Sequence, residues 1–292
     1  MSTPPYLDLP AHARHVELAT SRGPLAALRA EPDGTPEGTF VLVPGWTGSK
    51  EDFIAVLEPL ALRGWAVIAY DQRGQFESPG PDDEDAYSLP SLARDLLEVV
   101  AAGTGPVHVV GHSFGGLVAR EAVLDPDGSP VASLVLLCSG PAALPASSRE
   151  RLGALHAALP QVPLEVIYDV KEAADLESGW RPPSPEVGAF MRRRFTATNP
   201  VALRALTGTL LDTPDRTDAL VARAREGLPV AVMYGPADDA WPLAEQDRVA
   251  AALGVEPVVV PGAGHSPAAE APEETAAALD ALVRRLHPAG QG

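Results

Sequence analysis

Apolar residues in this chain fall into short continuous runs separated by stretches of helical periodicity, and the two alternate over most of its length. Residues 14–30, RHVELATSRGPLAALRA, alternate apolar and polar positions around a Gly-Pro turn, which predicts two short strands of a hairpin. TFVLVP follows as an unbroken apolar run ending in Pro44-Gly45-Trp46-Thr47-Gly48, a pattern that suits a parallel strand buried on both faces. A helix is predicted over 51–62 despite Pro59, stopped by Arg63-Gly64, and the strand WAVIAYD comes next. Beyond the polar loop DQRGQFESPGPDDEDAY lie a helix over 88–101, a strand PVHVVG at 106–111, an apolar helix ending near Leu124 and a strand VASLVLLCS at 131–139. Strand, glycine-rich turn, helix and strand again is the grammar of an α/β fold.

The pattern changes between 141 and 227, where helices are predicted near 147–159, 185–195, 199–211 and 215–226, broken by proline-rich segments such as RPPSP. VPLEVIYDV in the same stretch reads equally as strand or helix. Strands return at 229–235 and 256–262, with helices at 242–253 and 272–286. The expected architecture is a mostly parallel sheet flanked by helices, formed by residues 14–140 and 228–286, with a mainly helical cap inserted at 141–227. The tail HPAGQG is expected to fray.

Composition narrows the functions open to such a fold. Asp and Glu outnumber Lys and Arg by 39 to 22, a formal charge of −17, which disfavours a broad grip on nucleic acid or an anionic membrane. Arg192-Arg193-Arg194 is the one compact basic run, and one side of an amphipathic helix explains it. The single cysteine, Cys138, cannot close an internal disulfide and sits in an apolar run, where a buried, inert thiol is expected. The N-terminus lacks the basic and apolar regions of a signal peptide, and no run is long enough to span a bilayer, so the expected location is the cytoplasm. No Cys/His/carboxylate spacing suggests a metal, Gly-x-Gly-x-x-Gly is absent, and no cofactor is expected.

Gly111-His112-Ser113-Phe114-Gly115 carries the candidate chemistry, because it joins a strand directly to an apolar helix. A tight turn there strains the backbone at Ser113, and glycine on both sides lets neighbouring chain come close, so the hydroxyl projects above the sheet. A helix N-cap would also place a serine here, but an N-cap does not need the two glycines. A nucleophilic serine needs a neutral imidazole to take its proton, and that imidazole needs a carboxylate to fix its tautomer. Asp238 follows the strand VAVMYG and His265 follows EPVVVPG, so both fall at carboxyl ends of parallel strands, the edge that holds Ser113.

The remaining histidines compete poorly: His12 and His15 precede the core, His156 lies in the insertion, His287 in the tail, and His108 inside a strand. His112 adjoins Ser113 but points away from it, which favours an orienting or packing role. Of the adjacent Asp238 and Asp239 only one can receive the His265 Nδ1 proton; Asp238 is preferred, leaving Asp239 to cap a helix or face solvent. Backbone N–H groups of Trp46 and Phe114 occupy the places of an oxyanion hole.

With these motifs in place, the chain resembles the α/β-hydrolase superfamily over residues 14–286, and within it the capped bacterial serine hydrolases: carboxylesterases, proline-iminopeptidase-like enzymes and non-haem haloperoxidase-like esterases. The resemblance implies a Ser113-Asp238-His265 triad, an oxyanion hole from Trp46 and Phe114, and a small-molecule ester or amide substrate; the length is compatible with a monomer or a homodimer. Two positions depart from the family pattern. Pro44-Gly45 stands where His-Gly is usual, and Phe76 stands where the loop Asp71-Gln-Arg-Gly-Gln-Phe-Glu-Ser78 usually has glycine. Arg73 and Asp71 in that loop read more readily as structural ion-pair residues than as substrate contacts. Hydrolysis of a small ester is the leading expectation. Proline-iminopeptidase-like cleavage would require a carboxylate for the substrate ammonium, with Glu165, Asp169, Glu172, Asp175 and Glu177 as candidates. Thioester hydrolysis, lactone opening and hydroxynitrile cleavage would use the same three side chains, and a non-catalytic protein that binds a small molecule could retain them as well.

Overall fold

The computed structural model describes residues 2–286; the tail HPAGQG, which begins at His287, lies outside the described residues. The hairpin appears as β1 (Ala13–Leu18) and β2 (Leu25–Ala30), and the apolar runs as β3 (Thr39–Val43), β4 (Ala66–Tyr70), β5 (Val107–His112), β6 (Val131–Leu137), β7 (Val230–Tyr234) and β8 (Val258–Val259). They form one eight-stranded sheet in the order β1-β2-β4-β3-β5-β6-β7-β8. β1–β2 and β2–β4 are antiparallel and every later pair is parallel. All residues of β3, β4, β5 and β7 are buried, which is why those segments read as continuous apolar runs.

Helices α1 (Ile54–Ala61) and α11 (Pro272–Leu286) pack together, as do α2 (Leu89–Ala101) and α3 (Phe114–Val123), and both pairs join the sheet in one apolar core. Residues 51–53, the start of the helix predicted over 51–62, belong instead to a separate 3-10 turn, Lys50–Phe53. The strand expected at 256–262 is cut to Val258–Val259, because Pro257 and Pro261 bracket it and neither has an N–H to donate to a ladder.

Five helices lie between β6 and β7: α4 (Ala146–Ala158), α5 (Leu164–Glu177), α6 (Pro185–Ala197), α7 (Pro200–Leu211) and α8 (Thr217–Arg225). The ambiguous VPLEVIYDV is the start of α5, with Leu164 and Tyr168 buried one helical turn apart. Leu159, Leu164, Tyr168, Val187, Phe190, Met191, Phe195 and Leu203 make a second apolar cluster within this insertion, and Trp46 and Phe76 of the core pack against it. Asn199 fixes the insertion to the loop after β4: its N–H donates to the Gly74 carbonyl at 2.8 Å, while its side-chain oxygen caps α7. A Cβ on Gly74 would come within 2.5 Å of the Ala202 Cβ, so the close approach of α7 requires glycine there. Short α9 (Leu243–Leu253) and α10 (Pro267–Glu270) complete the chain between β7 and α11.

Candidate active site

Ser113 sits between β5 and α3 with φ 55 and ψ −121, a conformation that L side chains rarely adopt. The glycines around it are sites of backbone contact. A Cβ on Gly111 would lie 2.6 Å from the Gly115 carbonyl oxygen, and one on Gly115 would lie 2.3 Å from that of Val43. The turn is therefore wedged against the end of β3, and the loop that starts at Pro44 passes close to the serine: a Cβ on Gly45 would stand 3.3 Å from the Ser113 Cβ.

The structure brings Ser113, His265 and Asp238 together. His265 Nε2 lies 3.0 Å from Ser113 Oγ, and His265 Nδ1 lies 2.7 Å from Asp238 Oδ1. The Asp238 side chain is fully buried and also accepts from the Ala240 N–H at 3.0 Å and from Gln246 Nε2 at 2.8 Å. Burial pushes the Asp238 carboxyl up, but the His265 hydrogen bond and charge, with the two further donors, outweigh it and leave the group below the usual carboxylate range. Asp239 beside it is exposed. The Nε2–H of His112 donates to the His265 backbone carbonyl at 2.6 Å. Burial, with His265 close by, pushes His112 down to about 3, so the ring stays neutral and serves as a fixed donor that holds the His265 loop.

Trp46 follows Gly45, whose Cβ position stands 3.3 Å from the Ser113 Cβ, and Phe114 is the first residue of α3, where N–H groups have no partner within the helix. Two residues without any signal in the sequence fix the Trp46 side. Buried Gln72 donates to the Pro44 carbonyl at 2.9 Å, and buried Gln75 donates to the carbonyls of Gly45 at 2.8 Å and Trp46 at 3.0 Å. With three successive carbonyls held toward this loop, the peptide orientation of 44–46 is set. Glutamines in a polar loop give no indication of such a role in sequence alone. Phe76 follows with φ 40, which explains why glycine is usual there. Its ring packs edge-on against Phe190 and lies under Lys50. Arg73 and Asp71 are engaged elsewhere: Arg73 grips Asp95 through two nitrogens at 2.8 and 2.9 Å, and Asp71 holds Lys50 at 2.9 Å.

Donor atoms of Cys138, Asp238 and His265 come within 4.8 Å of one another, a grouping that sequence spacing did not show. The Cys138 thiol is buried, and burial followed by the Asp238 charge pushes its pKa up, so it stays protonated. A soft ion would have to displace both that proton and the Asp238–His265 hydrogen bond. Among the insertion residues expected near a pocket, Phe190, Phe195 and Leu206 are buried in the apolar clusters and Trp180 is exposed. An open cavity of about 430 Å³ lies between the α4–α5 turn and residues 196–200, away from Ser113.

A strained serine between a parallel strand and a helix, facing a histidine and a buried aspartate from later strand ends, defines the class of this protein. The alpha/beta hydrolase family profile matches residues 40–278, and the chain belongs to that family. It is 40% identical over 112 residues to RutD, a candidate carbamate hydrolase of Variovorax paradoxus, covering 38% of this chain and 41% of that protein. It is 30% identical over 140 residues to a proline iminopeptidase of Clostridium botulinum, covering 48% of this chain and 47% of that one. The matches thus span less than half the length of these curated relatives. A hydrolase of Pseudomonas aeruginosa superposes with a TM-score of 0.73 and 26% identity, covering 92% of this chain and 98% of that one. Among the described residues no helix is long and apolar enough to cross a membrane.

Proposed function

We propose that this protein hydrolyses small carboxylic esters through an acyl-enzyme on Ser113. Ser113 Oγ attacks the ester carbonyl carbon while its proton passes to His265 Nε2, and the alcohol departs with that proton. Water then attacks the acyl-enzyme, gives a proton to His265 and releases the carboxylic acid, and the proton returns to Ser113. Asp238 holds the His265 tautomer and stabilises the imidazolium, and the N–H groups of Trp46 and Phe114 receive the oxyanion. The observation that carries this reading is the unbroken chain from Ser113 Oγ at 3.0 Å to His265 and on at 2.7 Å to a buried carboxylate. The insertion at 141–227 would act as the cap, its aromatic cluster meeting the core at Trp46 and Phe76.

An ester is favoured over an N-terminal prolyl amide by the acids of α5. Asp169 pairs with Arg192 at 2.6 Å, Asp175 is bonded to Lys171, and Glu165, Glu172 and Glu177 are exposed, so none is held ready for a buried substrate ammonium. The test is intact mass after a small fluorophosphonate, followed by peptide mapping, with p-nitrophenyl acetate and butyrate compared against a prolyl naphthylamide. One adduct on the peptide carrying Ser113, with turnover of the esters alone, is expected. A folded protein that takes no adduct would move the reading to a binding protein, and turnover of the amide alone would move it to an aminopeptidase.

The glutamine brace gives a finer check. Gln75→Ala removes the donor shared by the carbonyls of Gly45 and Trp46, so the Trp46 N–H should lose its aim. We expect kcat for p-nitrophenyl butyrate to fall roughly 10- to 100-fold with KM changed less than about threefold. Weakened binding, seen as a raised KM with kcat intact, would separate Gln75 from the oxyanion site.

A further inference from the structure

The N-terminal segment reaches the loop that carries His265. Ser2 is buried, its hydroxyl lies 2.8 Å from that of Ser266, the residue after His265, and its carbonyl accepts from Arg194 Nη2 at 2.8 Å. Arg194 is itself fully buried on α6 and pairs with Asp52 at 2.6 Å, and Asp52 accepts in turn from the Ser49 N–H, a few residues past Trp46. Pro4 is buried, and Leu7 packs against the same insertion cluster as Trp46 and Phe76. The segment is thus tied on one side to the His265 loop and on the other to the cluster that contains the oxyanion loop's tryptophan. Pro4 and Pro5 stiffen it between these ties.

We propose that residues 2–9 form a fixed wall of the substrate site that limits the size of the acyl group reaching Ser113, with Arg194 as the residue that positions it. The inference rests on Ser113 being the nucleophile, and it deepens that reading by assigning its selectivity for short acyl chains to a segment ahead of the core. The sequence gives no hint of it, because STPPYLDLP carries neither periodicity nor a motif.

Two full-length variants free the wall from opposite ends. Asp52→Asn with Arg194→Met removes the guanidinium that holds the Ser2 carbonyl and leaves no unpaired buried charge. Leu7→Asp breaks the apolar contact at a half-buried position, where folding should survive, so it carries the test if the double variant does not fold. The readouts are second-order rates of labelling at Ser113 by a methyl and by a long-chain fluorophosphonate, and the rate of chymotryptic cleavage after Tyr6 or Leu7. In wild type the small probe should react far faster. In the variants cleavage should speed up, and labelling by the long-chain probe should rise at least about tenfold while the small probe changes less than about threefold. Faster cleavage with an unchanged ratio of the two probes would overturn the wall. So would wild-type protein that labels as fast with the long-chain probe as with the small one. Failure of both probes on wild type would instead overturn the nucleophile itself, and the wall with it.

Discussion

Replacing Ser113 with glycine should abolish ester hydrolysis and raise the melting temperature, whereas alanine at the same position should abolish hydrolysis without raising it. The serine holds φ 55 and ψ −121 and makes no side-chain cap to its helix. Such a conformation costs about 1–3 kcal/mol for a residue with a Cβ. Alanine inherits that cost in full. Glycine sheds it but loses more backbone freedom on folding, about 0.5–1 kcal/mol, so the net gain is about 1 kcal/mol. In a chain of this size that corresponds to roughly 2 °C in melting temperature. Both variants lose the nucleophile, and kcat should fall by about 10⁴-fold or more. Calorimetry beside an ester assay makes the comparison. Equal melting temperatures for the two variants would show that the turn at Ser113 stores no strain, and that its geometry is relaxed rather than held by contact with the end of β3.

That pairing of a strained serine with crowding glycines also explains why the turn at Ser113 stood out in the sequence. Gly111 and Gly115 are required by backbone contacts under 3 Å, and such contacts leave a fixed spacing of glycine around the serine. The strands were legible because burial on both faces removes polar residues from β3, β4, β5 and β7. Where one face is solvated and apolar together, the pattern fails. α5 exposes Val166 and Val170 on its outer side while burying Leu164 and Tyr168, so its periodicity blurs into a strand-like run. The last strand was overread because three valines outweighed two prolines. Gln72, Gln75 and Ser2 were invisible for a different reason: each acts through a hydrogen bond to a backbone carbonyl or a distant hydroxyl, and any sequence context can supply that partner. Phe76 stood out as a departure from the family pattern, and its meaning needed the ring of Phe190 and the positive φ together.

Asp238→Asn should lower kcat by roughly 10³- to 10⁴-fold, and Asp239→Asn should leave it within about threefold, because only Asp238 reaches His265. Asparagine can sit in two ways, and both fail. With its oxygen at the Oδ1 position it keeps the His265 Nδ1 proton in place, but the charge that stabilises the imidazolium is gone. With its NH₂ there it forces the proton onto Nε2, which then cannot accept from Ser113. Two donors bear on the choice: the Ala240 N–H donates to Oδ1 at 3.0 Å and would confront the asparagine NH₂ in the second arrangement, while Gln246 Nε2 donates to Oδ2 at 2.8 Å and would confront it in the first unless its own amide turned. Adding Gln246→Glu to Asp238→Asn supplies an acceptor for that NH₂, selects the first arrangement and returns a negative charge one step from the imidazole. We expect the double variant to recover roughly tenfold of the lost kcat. The same rate for single and double variants would mean that neither the tautomer nor the local charge limits turnover. A large loss in Asp239→Asn would move the carboxylate role to the neighbouring residue.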